Sequence, residues 1–285
     1  MKIFAILFSL FVFTNSFSAS HFDAYKIYTN QGKEVDFFKL VKAVEGKSHV
    51  FFGEHHDNPI AHWLEFELTK TLFQTYKKKL VLGAEMFEAD NQYVLDEYLK
   101  DQISAKNYQN EVRLWPNYNT DYKPLVEFAK ANRLKFIATN IPRRYANIVY
   151  KKGLSSLDDL SDLAKTYIVP LNKFEYDSTI TCYKELSKMN HGGTYLGLAQ
   201  AIKDATMAYF ILENTKPNHL FLHVNGSYHS NNYEGIVHYM KKLVAVEQIL
   251  TISTVSQNSI DELEQGNYGL ADFIVCVNAN MTTTH

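Results

Sequence analysis

Six short, mostly apolar runs punctuate the chain, at residues 49–52, 80–84, 135–138, 220–224, 249–255 and 273–277. They are rich in β-branched and aromatic residues, and they stay apolar rather than alternating with polar ones. That pattern predicts strands buried on both faces, as in a parallel sheet. Helical patterns separate most of them. Residues 60–76 repeat Leu64, Leu68 and Leu72 at four-residue spacing, and residues 125–131, 201–212 and 233–243 also read as helices. Alternating strands and helices predict an α/β fold: a mostly parallel β-sheet flanked by helices and joined by right-handed crossovers. Ahead of the first run, residues 25–29, the Gln31-Gly32 turn and residues 34–36 predict a small edge hairpin.

One interval breaks the rhythm. Between residues 138 and 220 there is no strong strand signal, whereas 157–167, 177–189 and 195–214 look helical. Residues 145–200 are therefore expected to form a smaller, all-helical subdomain inserted into a single α/β domain that spans 21–285. At the N-terminus, Lys2 precedes an apolar stretch over residues 3–13, followed by the small residues Ser16, Ser18, Ala19 and Ser20. These features predict a cleavable signal peptide over residues 1–20 and a periplasmic mature protein. No cysteine stands near the cleavage site, so no lipid anchor is expected.

Composition narrows the classes. A net charge of -2 argues against an electrostatically driven nucleic-acid binder. The two cysteines, Cys182 and Cys276, exclude a disulfide-dense scaffold and leave their pairing open. Tyrosine and phenylalanine each occur 19 times, enough to supply both a core and a surface that is apolar yet hydrogen-bonding.

Polar residues gather just after the strands. The first run leads into Glu54-His55-His56-Asp57, the second into Glu85-Met86-Phe87-Glu88, and the third into Asn140-Ile141-Pro142-Arg143. The fourth leads into Asn225-Gly226-Ser227-Tyr228-His229. In a parallel sheet these ends share one edge, so Glu54, His55, Glu85, Asn140 and His229 are expected to converge on a crevice. Two carboxylates with nearby imidazoles suit a divalent metal or acid–base work. They equally suit a hydrogen-bonded cluster that only fixes the loops, and both readings stand at this point. Asn58 and Pro59 suit the start of a helix. Asp57 reads as a further cap, His62 as a residue that packs or faces solvent, and His56 as a surface residue. No dinucleotide or phosphate loop, nucleophile elbow or HExxH motif is present.

Six segments, in order, resemble those of the ChaN-like haem-binding uptake family, within the superfamily of Tiki proteases, TraB proteins and erythromycin esterases. They are Gly53-Glu54-x-His56-Asp57-Asn58-Pro59 with His62, then Gly83-Ala84-Glu85-Met86-Phe87-Glu88, and Trp115 with Tyr122-Lys123-Pro124. Thr139-Asn140-Ile141-Pro142-Arg143, the helix from Ala199-Gln200 through Asp204 to Met207-Ala208, and Asn225-Gly226-Ser227-Tyr228-His229 complete the set. The resemblance implies binding of ferric haem for haem or iron uptake, with more likeness to a carrier than to an enzyme. It further implies two haems stacked at a homodimer interface, a tyrosine on each iron, a histidine and a lysine on the propionates, and an outer-membrane haem receptor upstream. A phenolate is a hard donor suited to ferric iron. Within the insert, Tyr176, Tyr183 and Tyr195 flank Lys184, Lys188 and His191. One of the three tyrosines is expected as the iron ligand, with Tyr122 outside that group, and His191 and Lys188 as propionate partners. The superfamily's hydrolase branch implies the rival: a metal-dependent protease or esterase working through Glu54, His55, His56, Glu85 and His229.

Overall fold

The computed structural model describes residues 23–189 and 195–285. The expected signal peptide over 1–20 and His191 lie outside the described residues. Eight strands form one sheet: β1 (Tyr25–Thr29), β2 (Glu34–Val35), β3 (His49–Glu54), β4 (Leu80–Glu88), β5 (Lys135–Asn140), β6 (Leu220–Gly226), β7 (Ile249–Gln257) and β8 (Phe273–Asn278). Their spatial order is β2-β1-β8-β7-β3-β6-β4-β5. The six strands from β8 to β5 pair in parallel, while β1 pairs antiparallel with β8 and β2. The expected mostly parallel sheet and its edge hairpin are both present.

The helices are α1 (Phe37–Ala43), α2 (Pro59–Tyr76), α3 (Gln92–Leu99), α4 (Ala105–Glu111), α5 (Lys123–Ala131), α6 (Arg143–Lys152), α7 (Asp162–Lys165), α8 (Thr181–Lys188), α9 (Leu196–Asn214) and α10 (Ile236–Met240). Alternation along each strand divides the core into two layers. On one face Val50, Phe52, Leu82, Leu222 and Ile252 pack with Leu64, Leu68 and Leu72 of α2. On the other, Phe51, Val81, Ile137 and Phe221 pack with Ala201, Ile202, Ala205 and Ile211 of α9. Every residue of β3 and β4 is buried, which is why these runs carry no polar alternation.

Residues 145–200 carry most of α6, all of α7 and α8, and short 3-10 turns. Their buried Leu157, Cys182 and Tyr183 belong to the same apolar cluster as α9 and the sheet residues Phe51 and Val81. Both cysteines are buried free thiols. The helix expected over 233–243 is shorter, confined to Ile236–Met240. Asn232, Tyr233 and Gly235 all take positive φ just before it. Only glycine fits at 235, because a Cβ there would lie 2.2 Å from the His229 carbonyl oxygen. No helix among the described residues is long and apolar enough to cross a membrane.

Candidate functional site

The polar residues that end β3, β4 and β6 meet at the carboxyl edge of the sheet, where β3 lies between β6 and β7. Two glycines allow the close approach. A Cβ on Gly53 would lie 2.9 Å from both the Ile252 carbonyl oxygen and the Ser227 Cα. A Cβ on Gly226 would lie 2.7 Å from His56 Nε2. Asn58, rather than Asp57, caps α2: its side chain accepts from the amides of Ile60 and Ala61, each at 3.0 Å, and Pro59 takes the first turn. The Asp57 carbonyl instead accepts from the Thr284 amide at 2.9 Å.

Glu54 is the centre of one group. Its Oε1 accepts from the Tyr122 hydroxyl and from His56 Nδ1, both at 2.7 Å. Its Oε2 lies 3.0 Å from His62 Nδ1, and Glu65, one turn further along α2, approaches the same nitrogen at 3.6 Å. His62 Nε2 faces the His56 carbonyl at 3.1 Å and Asp121 Oδ2 at 3.4 Å. Burial alone would raise the Glu54 pKa, but the bonds to His56 and His62 outweigh it and hold this carboxyl ionised. Burial likewise opposes charge on His62, yet Glu54 and Glu65 lift it to about 11. Glu65 is pushed well above the usual range by burial and the Glu54 charge. Burial and Glu54 together drive the Tyr122 phenol upward.

Glu85 is the centre of the second group. Its Oε2 accepts from the Gly226 amide at 2.8 Å, and its Oε1 pairs with His229 Nε2 at 3.0 Å. His229 Nδ1 bonds Asp204 on α9, whose Oδ2 accepts from the Tyr183 hydroxyl at 2.8 Å. With a carboxylate on each ring nitrogen, His229 overcomes burial and rises to about 10, while its charge draws buried Glu85 down to about 2. Gln200 lays its amide against the same ring, at 3.0 and 3.1 Å from the two nitrogens. His56 stands between the groups. Its side chain is 35% exposed, Trp115 packs edge-on at 4.8 Å, and Glu54 and Glu85 raise its pKa against the opposing effect of burial.

The structure thus brings together Glu54, His56, Glu85 and His229. His55 turns the other way, its Nδ1 3.4 Å from Ser256 Oγ at the end of β7, and burial lowers its pKa. Asn140 reaches the backbone of Glu85 rather than its carboxylate, donating to the carbonyl at 2.9 Å. His62 is no mere packing residue, because both its ring nitrogens face polar partners. Sequence reasoning missed the parts played by Asp204, Glu65 and Asp121, which reach the crest from helices or loops rather than strand ends. The available signal was a carboxylate at an otherwise apolar helix position: Asp204 stands among Ala201, Ile202, Ala205 and Ala208, and Glu65 between Leu64 and Leu68.

The tyrosines of the insert have different surroundings. Tyr183 is fully buried and its hydroxyl is committed to Asp204, so it does not face the surface. Tyr176 is half-buried, with its hydroxyl 3.5 Å from Ser187 Oγ and its ring 6.1 Å from that of Tyr183. Tyr195 is 42% exposed, and its ring covers Gly153 at the end of α6. Lys188 is exposed in the last turn of α8. Tyr122 is buried at the crest. A 690 Å³ cavity lies instead beside β5, lined by Gln92, Lys130, Arg133 and Phe210, and contains none of these groups.

A family model described as haem-binding uptake, Tiki superfamily, ChaN matches residues 40–240. Among solved structures, the fold is similar to that of ChaN from Campylobacter jejuni, described with cofacial haem binding. The TM-score is 0.63 at 18% identity, over 90% of this chain and 97% of that one. It is also similar to a mutant of the erythromycin esterase EreC in its open conformation, with a TM-score of 0.52 at 13% identity, over 90% and 98% of the two chains. One curated relative, the chloroplastic Protein RETICULATA-RELATED 5 of Arabidopsis thaliana, is 24% identical over 181 residues, 58% of this chain. The match spans only 24% of that plant protein.

Proposed function

The chain belongs to the ChaN haem-binding uptake family of the Tiki superfamily, and from that premise we propose that it is a periplasmic haem-binding protein serving haem or iron uptake. Ferric haem would be held by a tyrosine at the interface of a homodimer. The observation that supports the placement is the exposure of Tyr195, the one tyrosine of the proposed three that presents much of its ring to solvent. Tyr176 is the second candidate, half-buried with its hydroxyl near Ser187. The burial of Tyr183 favours a supporting part for it, through Asp204, in place of iron ligation. Exposed Lys188 is offered to a propionate, together with His191.

The donor chemistry fits the group. A phenolate is a hard oxygen ligand for ferric iron, and coordination favours its deprotonation despite an ordinary pKa near ~10. The chain's own part is to present that oxygen on an apolar surface beside a cation. No chemical step is required, since affinity and release are the function. A receptor in the outer membrane would supply the haem.

The test is substitution of Tyr176, Tyr183 and Tyr195 singly by Phe, followed by ferric haem titration and absorption spectroscopy. Loss of the tyrosinate spectrum in Y195F or Y176F, with Y183F still binding, supports the placement. Retention in all three would move the ligand out of the insert. Fractionation of cells that express the full chain tests the location.

A second reading follows from the crest itself. His56, half-open between the Glu54 and Glu85 carboxylates, with His229 beyond, is a geometry that would activate water, as in a hydrolase. Haem-independent turnover of an ester or peptide, lost in His56→Asn, would favour it.

A further inference from the structure

We propose that Glu54, His62 and Glu65 form a buried site for a divalent transition-metal cation of the zinc or manganese class, beneath the crest and distinct from the Glu85–His229 pair. One ligand atom from each of the three side chains lies within 4.8 Å of the other two, and all three residues are buried. The nearest approach, His62 Nδ1 to Glu54 Oε2, is 3.0 Å, and Glu65 Oε2 follows at 3.6 Å. Zinc bound at about 2.0–2.2 Å to nitrogen and oxygen sets its ligand atoms roughly 3.4 Å apart in a tetrahedron, within the range seen here.

The hydrogen-bonding pattern points to a ligand. Glu54 Oε2, His62 Nδ1 and both carboxylate oxygens of Glu65 are buried, and beyond their contacts with one another none has a hydrogen-bond partner. These are the atoms that face the centre of the group. Buried polar atoms are otherwise almost always satisfied, so orphaned ones facing a common point are an unusual feature of a folded interior.

The atoms that face outward are satisfied. His62 Nε2 is 3.1 Å from the His56 carbonyl oxygen and 3.4 Å from Asp121 Oδ2, as for a metal-bound imidazole that donates its other N–H to a carbonyl or carboxylate. Glu54 Oε1 is held by Tyr122 and His56, and Asp121 Oδ2 by Asn117 at 2.7 Å and Thr284 at 2.9 Å. The outward atoms are paired with the surrounding protein, while the inward ones have only each other. Two carboxylates and one imidazole select a borderline cation over calcium or magnesium, which favour all-oxygen sets. Two negative ligands would also neutralise its charge, and among the described residues no lysine or arginine pairs with either.

Local sequence assembles the site. Asn58 and Pro59 start α2 immediately after the crest, so residues at its fourth and seventh positions, His62 and Glu65, share the helix face turned toward Glu54. A cation there would tie the end of β3 to the start of α2 and fix the Glu54 carboxylate that positions His56. The proposal is independent of haem binding.

The test is a crystal of the protein soaked in zinc chloride, measured at the zinc absorption edge, alongside zinc titration in solution. An anomalous peak bounded by Glu54, His62 and Glu65, and one equivalent of zinc retained on gel filtration, is expected. Glu65→Gln should weaken zinc binding by at least the roughly 10–100-fold that loss of even an outer partner costs, whereas Asp261→Asn, at an exposed carboxylate beside Lys26, should leave it unchanged. No retained zinc, a peak only at Glu85 and His229, or a folded E65Q protein that binds as wild type would overturn the proposal. The crystal decides the matter even if the variant fails to fold.

Discussion

The Tyr122 hydroxyl donates to Glu54 Oε1 at 2.7 Å, joining a side chain from the turn before α5 to the end of β3, 68 residues away. The bond is buried, and its acceptor is a carboxylate held ionised by His56 and His62. Replacing Tyr122 by Phe removes the donor and leaves the charge. Hydrogen bonds to charged groups contribute about 1.5–3 kcal/mol. The Y122F protein is therefore expected to lose about that much stability in urea unfolding while keeping its native circular dichroism. An unchanged midpoint would show that the bond does not form in solution.

The buried histidines set a pH optimum for stability. His229 is raised to about 10 by Glu85 and Asp204, so its contribution is complete below its ordinary value near ~6.5 and is lost as pH climbs toward 10. His49 and His223 behave oppositely. Burial lowers both to about 4, so the unfolded chain takes up protons first as pH falls from ~6.5, and stability declines on that side. Unfolding free energy should peak near pH ~6.5. His229→Gln should make the alkaline limb shallower, leaving the part that His62 supplies. It should also make the acid limb shallower, because Glu85 loses the charge that holds its pKa down in the folded chain; a series of urea melts across pH would reveal both.

The two crest glycines are expected to differ in their tolerance of alanine. At Gly53 a Cβ meets backbone on both sides, the Ile252 carbonyl oxygen and the Ser227 Cα, each at 2.9 Å. Neither can move without shifting β7 or the turn after β6, so G53A should cost about 1–3 kcal/mol or more. At Gly226 the obstacle is the tip of the half-exposed His56 ring, 2.7 Å away, which can swing toward solvent. G226A should lose less stability but displace His56, seen as a changed titration of its ring protons by NMR. Equal costs would contradict this picture of the crest.

Gln92 protects the free edge of the sheet. Its side-chain amide donates to the Phe136 carbonyl at 3.0 Å and accepts from the Ala138 amide at 2.6 Å, standing in for a neighbouring strand. Exposed edges invite pairing with another chain. Gln92→Ala should destabilise by about 1–3 kcal/mol for two lost bonds and raise self-association, measurable by light scattering.

The strands were legible because burial on both faces left each run apolar, and the end of each run marked where polar chemistry would start. That is why Glu54, Glu85 and His229 were identified together. The helices were less so. α1, α3 and α4 have eight residues or fewer and show no extended stripe, and α10 is cut short by a positive-φ Gly235 that must clear the His229 carbonyl. The second carboxylate on His229 was hidden for a different reason. Asp204 lies 25 residues upstream on a helix, and only the packing of α9 against the sheet brings the two together. Likewise, the burial of Tyr183 depends on how α8 packs against α9, which helical periodicity within the insert does not reveal.

Haem binding can be tested in a single titration. Ferric haem is added to the purified protein while its absorption spectrum and hydrodynamic size are recorded. A saturable, high-spin, tyrosinate-type spectrum at one haem per chain, accompanied by dimerisation, is expected. A spectrum unchanged from that of free haem, with the protein remaining at its original size, would contradict it.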